Sequence, residues 1–105
     1  IKGTVKKFDN TKTKVPQIGW NKIYKDFNTW ENSPLEDTIN NEYMYFVHSY
    51  YVIPSNKNVV LTNTNYSGIE YCSSIKKDNI LATQFHPEKS GEKGLEIYKN
   101  WSKLL

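Results

Sequence analysis

Gln84-Phe85-His86-Pro87-Glu88-Lys89-Ser90 follows the short apolar run Ile80-Leu81-Ala82. Pro87 has no amide hydrogen to give to a sheet ladder, so residues 79–87 are expected to form a short buried strand that ends at His86. His86 and Glu88 lie two apart, and in extended backbone both side chains project to the same side. A carboxylate beside an imidazole fixes its tautomer and stabilises its protonated form, which is the base-and-orienter half of a nucleophilic triad. Taken alone the pair is weak. The commoner reading of such a pair is a surface ion pair, or a histidine that is merely hydrogen-bonded at a strand end.

Upstream of this stretch the chain reads as strands and turns. Residues 1–8 alternate apolar and polar, and 9–14 are a polar turn. A strand-like Trp20-Asn21-Lys22-Ile23-Tyr24 follows the entry at Pro16. Residues 28–41 read as a surface loop with one helical turn, and 42–53 as a single strong strand. The Val- and Thr-rich segment 58–66 and residues 69–75 flank Ser67-Gly68, a hairpin pattern.

Downstream, Leu95, Ile97, Tyr98, Trp101, Leu104 and Leu105 recur at spacings of three and four, the signature of an amphipathic helix from Gly94, with Ser90 placed to cap its start. The pattern is a largely β unit closed by one terminal helix, not a βαβ array. The chain opens on Ile1-Lys2-Gly3-Thr4-Val5, which reads as the middle of a strand, so a piece of a longer protein is expected.

The same 84–90 stretch resembles the signature of triad-type (class I) glutamine amidotransferases, in which the His and Glu of an H-P-E motif complete a Cys-His-Glu triad. Val15-Pro16-Gln17-Ile18-Gly19-Trp20-Asn21 resembles the V-P-x-M-G-W-N segment of one branch, the glutaminases of imidazole glycerol phosphate synthase. Tyr45-Phe46-Val47-His48-Ser49-Tyr50 resembles the same branch's Y-F-V-H-[ST]-Y. The three segments come in the family's order, and Gln17 stands where this branch usually has His.

This resemblance implies an α/β amidotransferase sandwich with a mixed central sheet. Residues 1–105 would be the β-rich C-terminal half of its single domain, closed by the last helix. The parent would hydrolyse glutamine and pass ammonia to a (β/α)8 cyclase subunit that closes an imidazole ring. His86 would be the base and Glu88 its orienter. His48, Ser49 and Tyr50 would lie against the substrate's amino-acid end, with Tyr45 and Lys89 at the synthase interface. Structural or solvated roles remain the alternative for these five. A glutaminase serving surface-sugar amidation, or anthranilate, guanylate or carbamoyl phosphate synthesis, remains open, although Gly19-Trp20-Asn21 argues against the last three. So does a catalytically dead domain that keeps the fold and binds a partner.

The single cysteine does not complete the triad. The family nucleophile sits at a strand-to-helix elbow flanked by glycines. Cys72 lies in Glu70-Tyr71-Cys72-Ser73-Ser74, with no glycine within three residues, and reads as a small packed thiol. The nucleophile and the oxyanion loop are expected in a missing N-terminal half.

Composition narrows the remaining classes. The net charge of +3 is spread along the chain without a basic run, which argues against a nucleic-acid partner. No apolar stretch approaches the roughly 20 residues that span a bilayer, so no membrane partner is expected. A lone cysteine excludes an internal disulfide framework and fits a cytoplasmic protein. Nothing in the sequence asks for a cofactor or a metal.

Overall fold

The structure, a computed structural model, describes residues 2–25 and 29–104. Ile1 of the first expected strand, Asn28 of the loop and Leu105 of the helix lie outside the described residues. In order, the strands are β1 (Gly3–Lys7), β2 (Gln17–Ile23), β3 (Glu42–His48), β4 (Tyr50–Pro54), β5 (Val60–Tyr66), β6 (Ile69–Lys77) and β7 (Ile80–Thr83). Short 3-10 turns cover Lys57–Val59 and Pro87–Lys89, and helix α1 spans Gly91–Leu104.

Two sheets result. One has the order β1-β4-β6-β5, with β7 also paired to β6, and the other is the pair β2-β3. All pairings between described strands are antiparallel, so the described residues contain no parallel part of the mixed sheet expected of the whole fold. Isolated bridges from Tyr24 to Asn63 and from Phe46 to Phe85 stitch the two sheets and the later chain together.

The expected strand over 42–53 is in fact two. It breaks at Ser49, where the chain leaves β3 in one sheet and enters β4 in the other. The cause is a distant residue. Phe8 is buried among the rings of His48, Tyr51, Tyr66 and Tyr71. Its backbone N–H donates to the Ser49 carbonyl at 3.0 Å, which fixes the bend.

Three further expectations need correction. Residues 79–87 are not a buried strand. β7 stops at Thr83 and alternates between exposed and half-buried positions, so only one of its faces is even partly covered. No helical turn forms among the described residues of the 28–41 loop, which is a series of turns and bends. The apolar stripe of α1 is only partly used. Ile97 is fully buried, whereas Leu95, Tyr98 and Leu104 remain exposed.

The core is one cluster that includes Phe8, Ile23, Trp30, Met44, Phe46, Phe85 and Ile97. Aromatic rings dominate it, as expected for a short chain that must bury area with few residues. Trp30 also satisfies its indole N–H, which donates to the Leu61 carbonyl at 2.7 Å.

Candidate active site

His86 is anchored through its backbone. Its N–H donates to the Tyr45 carbonyl at 2.9 Å. Its carbonyl accepts from the Lys89 N–H at 3.0 Å and from the Ser90 hydroxyl at 2.6 Å. The same hydroxyl oxygen accepts from the Tyr45 N–H at 3.0 Å. Ser90 therefore does not cap α1 as expected. It clamps the turn that carries His86 onto β3. On the other side, the buried Phe85 ring packs edge-on against Phe46 at 5.8 Å.

His86 and Glu88 meet, but not by the expected route. The backbone from Pro87 to Lys89 is a 3-10 turn, not extended strand. The turn brings the Glu88 carboxylate to 3.0 Å from His86 Nδ1. Pro87 suits it, since its fixed φ and missing donor are tolerated in a first helical turn. A carboxylate accepts, so Nδ1 carries the proton and Nε2 keeps a lone pair. Nε2 is the nitrogen available to take a proton from a nucleophile. The imidazole is 39% exposed and the carboxylate 45%, so the pair opens outward rather than into the core.

Helix α1 backs this turn closely. A Cβ at Gly94 would lie 2.1 Å from the Pro87 carbonyl oxygen, so only glycine lets the helix approach.

Of the remaining expected site residues, all but Lys89 fall on β3 and just beyond it. His48 is partly buried, with Nδ1 2.7 Å from the Tyr50 carbonyl and Nε2 3.0 Å from the Tyr71 hydroxyl. Burial pushes its pKa down. The bond to the Tyr50 carbonyl opposes this, and the nearby His86 adds to it. That coupling places the two imidazoles in each other's field. Ser49 forms the bend between the sheets, and the Tyr50 side chain is exposed. Tyr45 packs edge-on against Trp20 at 5.8 Å, and Lys89 is exposed at the end of the 3-10 turn that follows His86.

Cys72 lies in the other sheet from β3. It is buried in β6, paired with Val52 and Asn63, and its thiol donates to the Ser74 carbonyl at 3.2 Å. No elbow surrounds it.

Sequence reading passed over Tyr71 and, as contributors to the site, Gln17 and Ser90. Gln17 and Tyr71 are both buried, and the tyrosine hydroxyl donates to Gln17 Oε1 at 2.7 Å. The aromatic density of Tyr45-Phe46-Val47-His48-Ser49-Tyr50 and of Tyr71 was the one available signal, and it reads equally well as core.

This histidine–carboxylate pair, held on a sheet by a proline turn and backed by a terminal helix, is an arrangement suited to activating a nucleophile. The family model "Glutamine amidotransferase class-I" matches residues 3–103. The chain belongs to that family. It is 48% identical over 106 residues to the imidazole glycerol phosphate synthase subunit HisH 1 of Methanococcus maripaludis, covering 100% of this chain and 49% of that protein. It is 50% identical over 108 residues to subunit HisH of Methanocaldococcus jannaschii, covering 100% and 50%. The corresponding figures for HisH of Chlorobaculum tepidum are 42% over 106 residues, 99% and 50%. The chain thus spans about half the length of the curated relatives it matches.

Proposed function

We propose that this chain is the C-terminal half of the glutaminase subunit of imidazole glycerol phosphate synthase. The observation that carries the reading is the 3.0 Å pairing of His86 Nδ1 with Glu88, which leaves Nε2 to act as base. Similarity to HisH proteins along the whole chain supports the assignment of the branch.

In the complete enzyme a cysteine from the other half attacks the side-chain amide carbon of glutamine. Nε2 of His86 takes the thiol proton and then gives it to the departing nitrogen. The C–N bond breaks, ammonia leaves, and water cleaves the thioester to glutamate. Glu88 balances the imidazolium while it exists.

Two exposed surfaces fit the two missing partners. β1 is exposed along its whole length, and Val5 and Ile53 of β4 present apolar side chains to solvent on opposite faces of the sheet, surfaces that the N-terminal half would cover. On the other sheet, β2 and β3 alternate cleanly, and the outward residues Ile18, Trp20, Tyr43 and Val47 form an exposed apolar face. Tyr45 packs against Trp20 on that face, which suits docking of a (β/α)8 cyclase.

Purified alone, the chain releases no glutamate from glutamine, because it lacks the nucleophile. Release above that of a His86→Ala control would refute this. Mixing with the cysteine-bearing half restores release. In the assembled synthase, Lys89→Ala uncouples hydrolysis from cyclisation, lowering cyclase turnover per glutamate formed about three- to tenfold, as expected for losing one charge-assisted contact. Steady-state assays of both products check this. A change confined to the KM for glutamine moves Lys89 from the interface to the pocket.

A further inference from the structure

A line of hydrogen bonds runs behind the site through groups that the proposed chemistry does not use. Gln17 is fully buried at the start of β2, and its amide N–H donates to Asn21 Oδ1 at 2.8 Å. Its Oε1 accepts from Tyr71 at 2.7 Å. The Tyr71 oxygen is 3.0 Å from His48 Nε2, and His48 Nδ1 is 2.7 Å from the Tyr50 carbonyl. The line therefore joins the strand that carries Trp20 to the backbone of the bend at Ser49.

Counting protons shows what this line controls. The Tyr50 carbonyl can only accept, so Nδ1 must carry a hydrogen. Tyr71 has one proton to give. If it gives that proton to Gln17 Oε1, its oxygen accepts from Nε2–H, and His48 must be an imidazolium. If the amides of Gln17 and Asn21 turn over, Gln17 donates to Tyr71 and Tyr71 donates to Nε2. His48 is then a neutral ring with its proton on Nδ1. The heavy atoms occupy the same places in both cases. The ring's surroundings favour the second state. Phe8, Phe46 and Tyr71 pack around it, and His86 is the nearby titratable group that opposes a positive charge.

We propose that Gln17 is a positioning residue which, through the Tyr71 hydroxyl, sets the protons that His48 carries and thereby holds the His48-Ser49-Tyr50 bend in place. A neutral Nδ1–H ring keeps its bond to the Tyr50 carbonyl without placing a second cation beside His86. The consequence for glutamine rests on the reading proposed above, that this bend meets the substrate's amino-acid end. The protonation of His48 does not depend on that reading.

The test is 15N spectroscopy of the intact, histidine-labelled glutaminase, with His48 assigned by its loss in His48→Gln. Wild-type His48 shows the neutral Nδ1–H pattern. In Gln17→Glu the new carboxylate can only accept, so it draws the Tyr71 proton, and the titration midpoint of His48 rises by about one unit or more. Adding Tyr71→Phe to that variant removes at least half of the rise, because the hydroxyl transmits it. An equal rise without the hydroxyl means the charge acts through space and overturns the proposal, as does a His48 that ignores Gln17→Glu. If the carboxylate unfolds the protein, Tyr71→Phe alone decides. It keeps the ring packing and moves the Nε2 resonance to that of an unbonded nitrogen, and an unmoved resonance is a refutation. In the variants the KM for glutamine rises about three- to tenfold while kcat changes little, the effect of one lost hydrogen bond. Spectra that respond while KM stays fixed uphold the relay and overturn the placement of glutamine at the bend.

Discussion

Replacing His86 by alanine lowers glutamine turnover of the intact enzyme about a thousandfold or more, with the KM for glutamine changed far less. The direction of the split follows from geometry. The backbone of His86 is held by Tyr45, Lys89 and Ser90, and none of those bonds uses its side chain. Truncating the ring therefore leaves the turn intact and removes only the proton carrier. Without it the cysteine must lose its proton to water, and the departing nitrogen must leave unprotonated. Glu88→Gln has a smaller effect, about a hundredfold, because the exposed amide can rotate to accept the Nδ1 proton while supplying no charge. Glutamate release measured across glutamine concentrations separates the terms. If His86→Ala raises KM and spares kcat, His86 is a binding or structural residue and the base lies elsewhere. Cys72→Ser in the same protein leaves turnover unchanged, since that thiol is buried in β6 and donates to the Ser74 carbonyl.

The two halves of this site were unequally visible in the sequence. His86, Pro87 and Glu88 are adjacent, so local chemistry predicts their encounter, although Pro87 produces a 3-10 turn where extended backbone was expected. β2 was legible in part: Trp20-Asn21-Lys22-Ile23-Tyr24 reads as strand-like, whereas the strand runs Gln17–Ile23, and its inward Gln17 and outward Ile18 and Trp20 give no hydropathy cue to its start. The break at Ser49 was not legible. Residues 42–53 contain no glycine or proline before the turn at Pro54, and what bends them is the amide of Phe8. Ser90 looked like a helix cap because serine before a helical run usually is one. Its hydroxyl instead finds Tyr45 and His86, partners that exist only once β3 is in place. Gln17 and Tyr71 were the hardest to see, being 54 residues apart and joined only when β2 and β6 converge. Local pattern thus identified elements and the meeting of His86 with Glu88, while the groups that hold the pair arise from contacts between distant strands.

Phe46→Ala destabilises the folded domain by about 3–5 kcal/mol, the range for removing a fully buried phenylalanine. Phe46 is 0% exposed and sits where three parts of the chain meet. It pairs with Gly19 of β2, which offers no side chain to fill a void, and it bridges to Phe85 across the sheet boundary. Its ring meets Phe85 edge-on at 5.8 Å, Tyr71 edge-on at 6.5 Å and His48 at 5.7 Å. Such edge-on pairs add about 0.5–1.5 kcal/mol beyond area burial, so the loss falls toward the upper part of the range. Set against a total stability of about 5–15 kcal/mol, one substitution removes a large fraction. In urea, with a slope of about 1–3 kcal/mol per molar, the midpoint falls by roughly 2 M. Tyr43→Ala, one register step from Met44 but on the outward face, shifts stability by about 0.5 kcal/mol or less. The loss at Phe46 also reaches the chemistry. Phe85 directly precedes His86, so a cavity beside it loosens the imidazole while the His86 and Glu88 side chains are both still present. Turnover of Phe46→Ala then falls at temperatures well below its unfolding transition. Equal urea midpoints for the two variants would show that the Phe46 ring is not the keystone between β3 and the His86 turn.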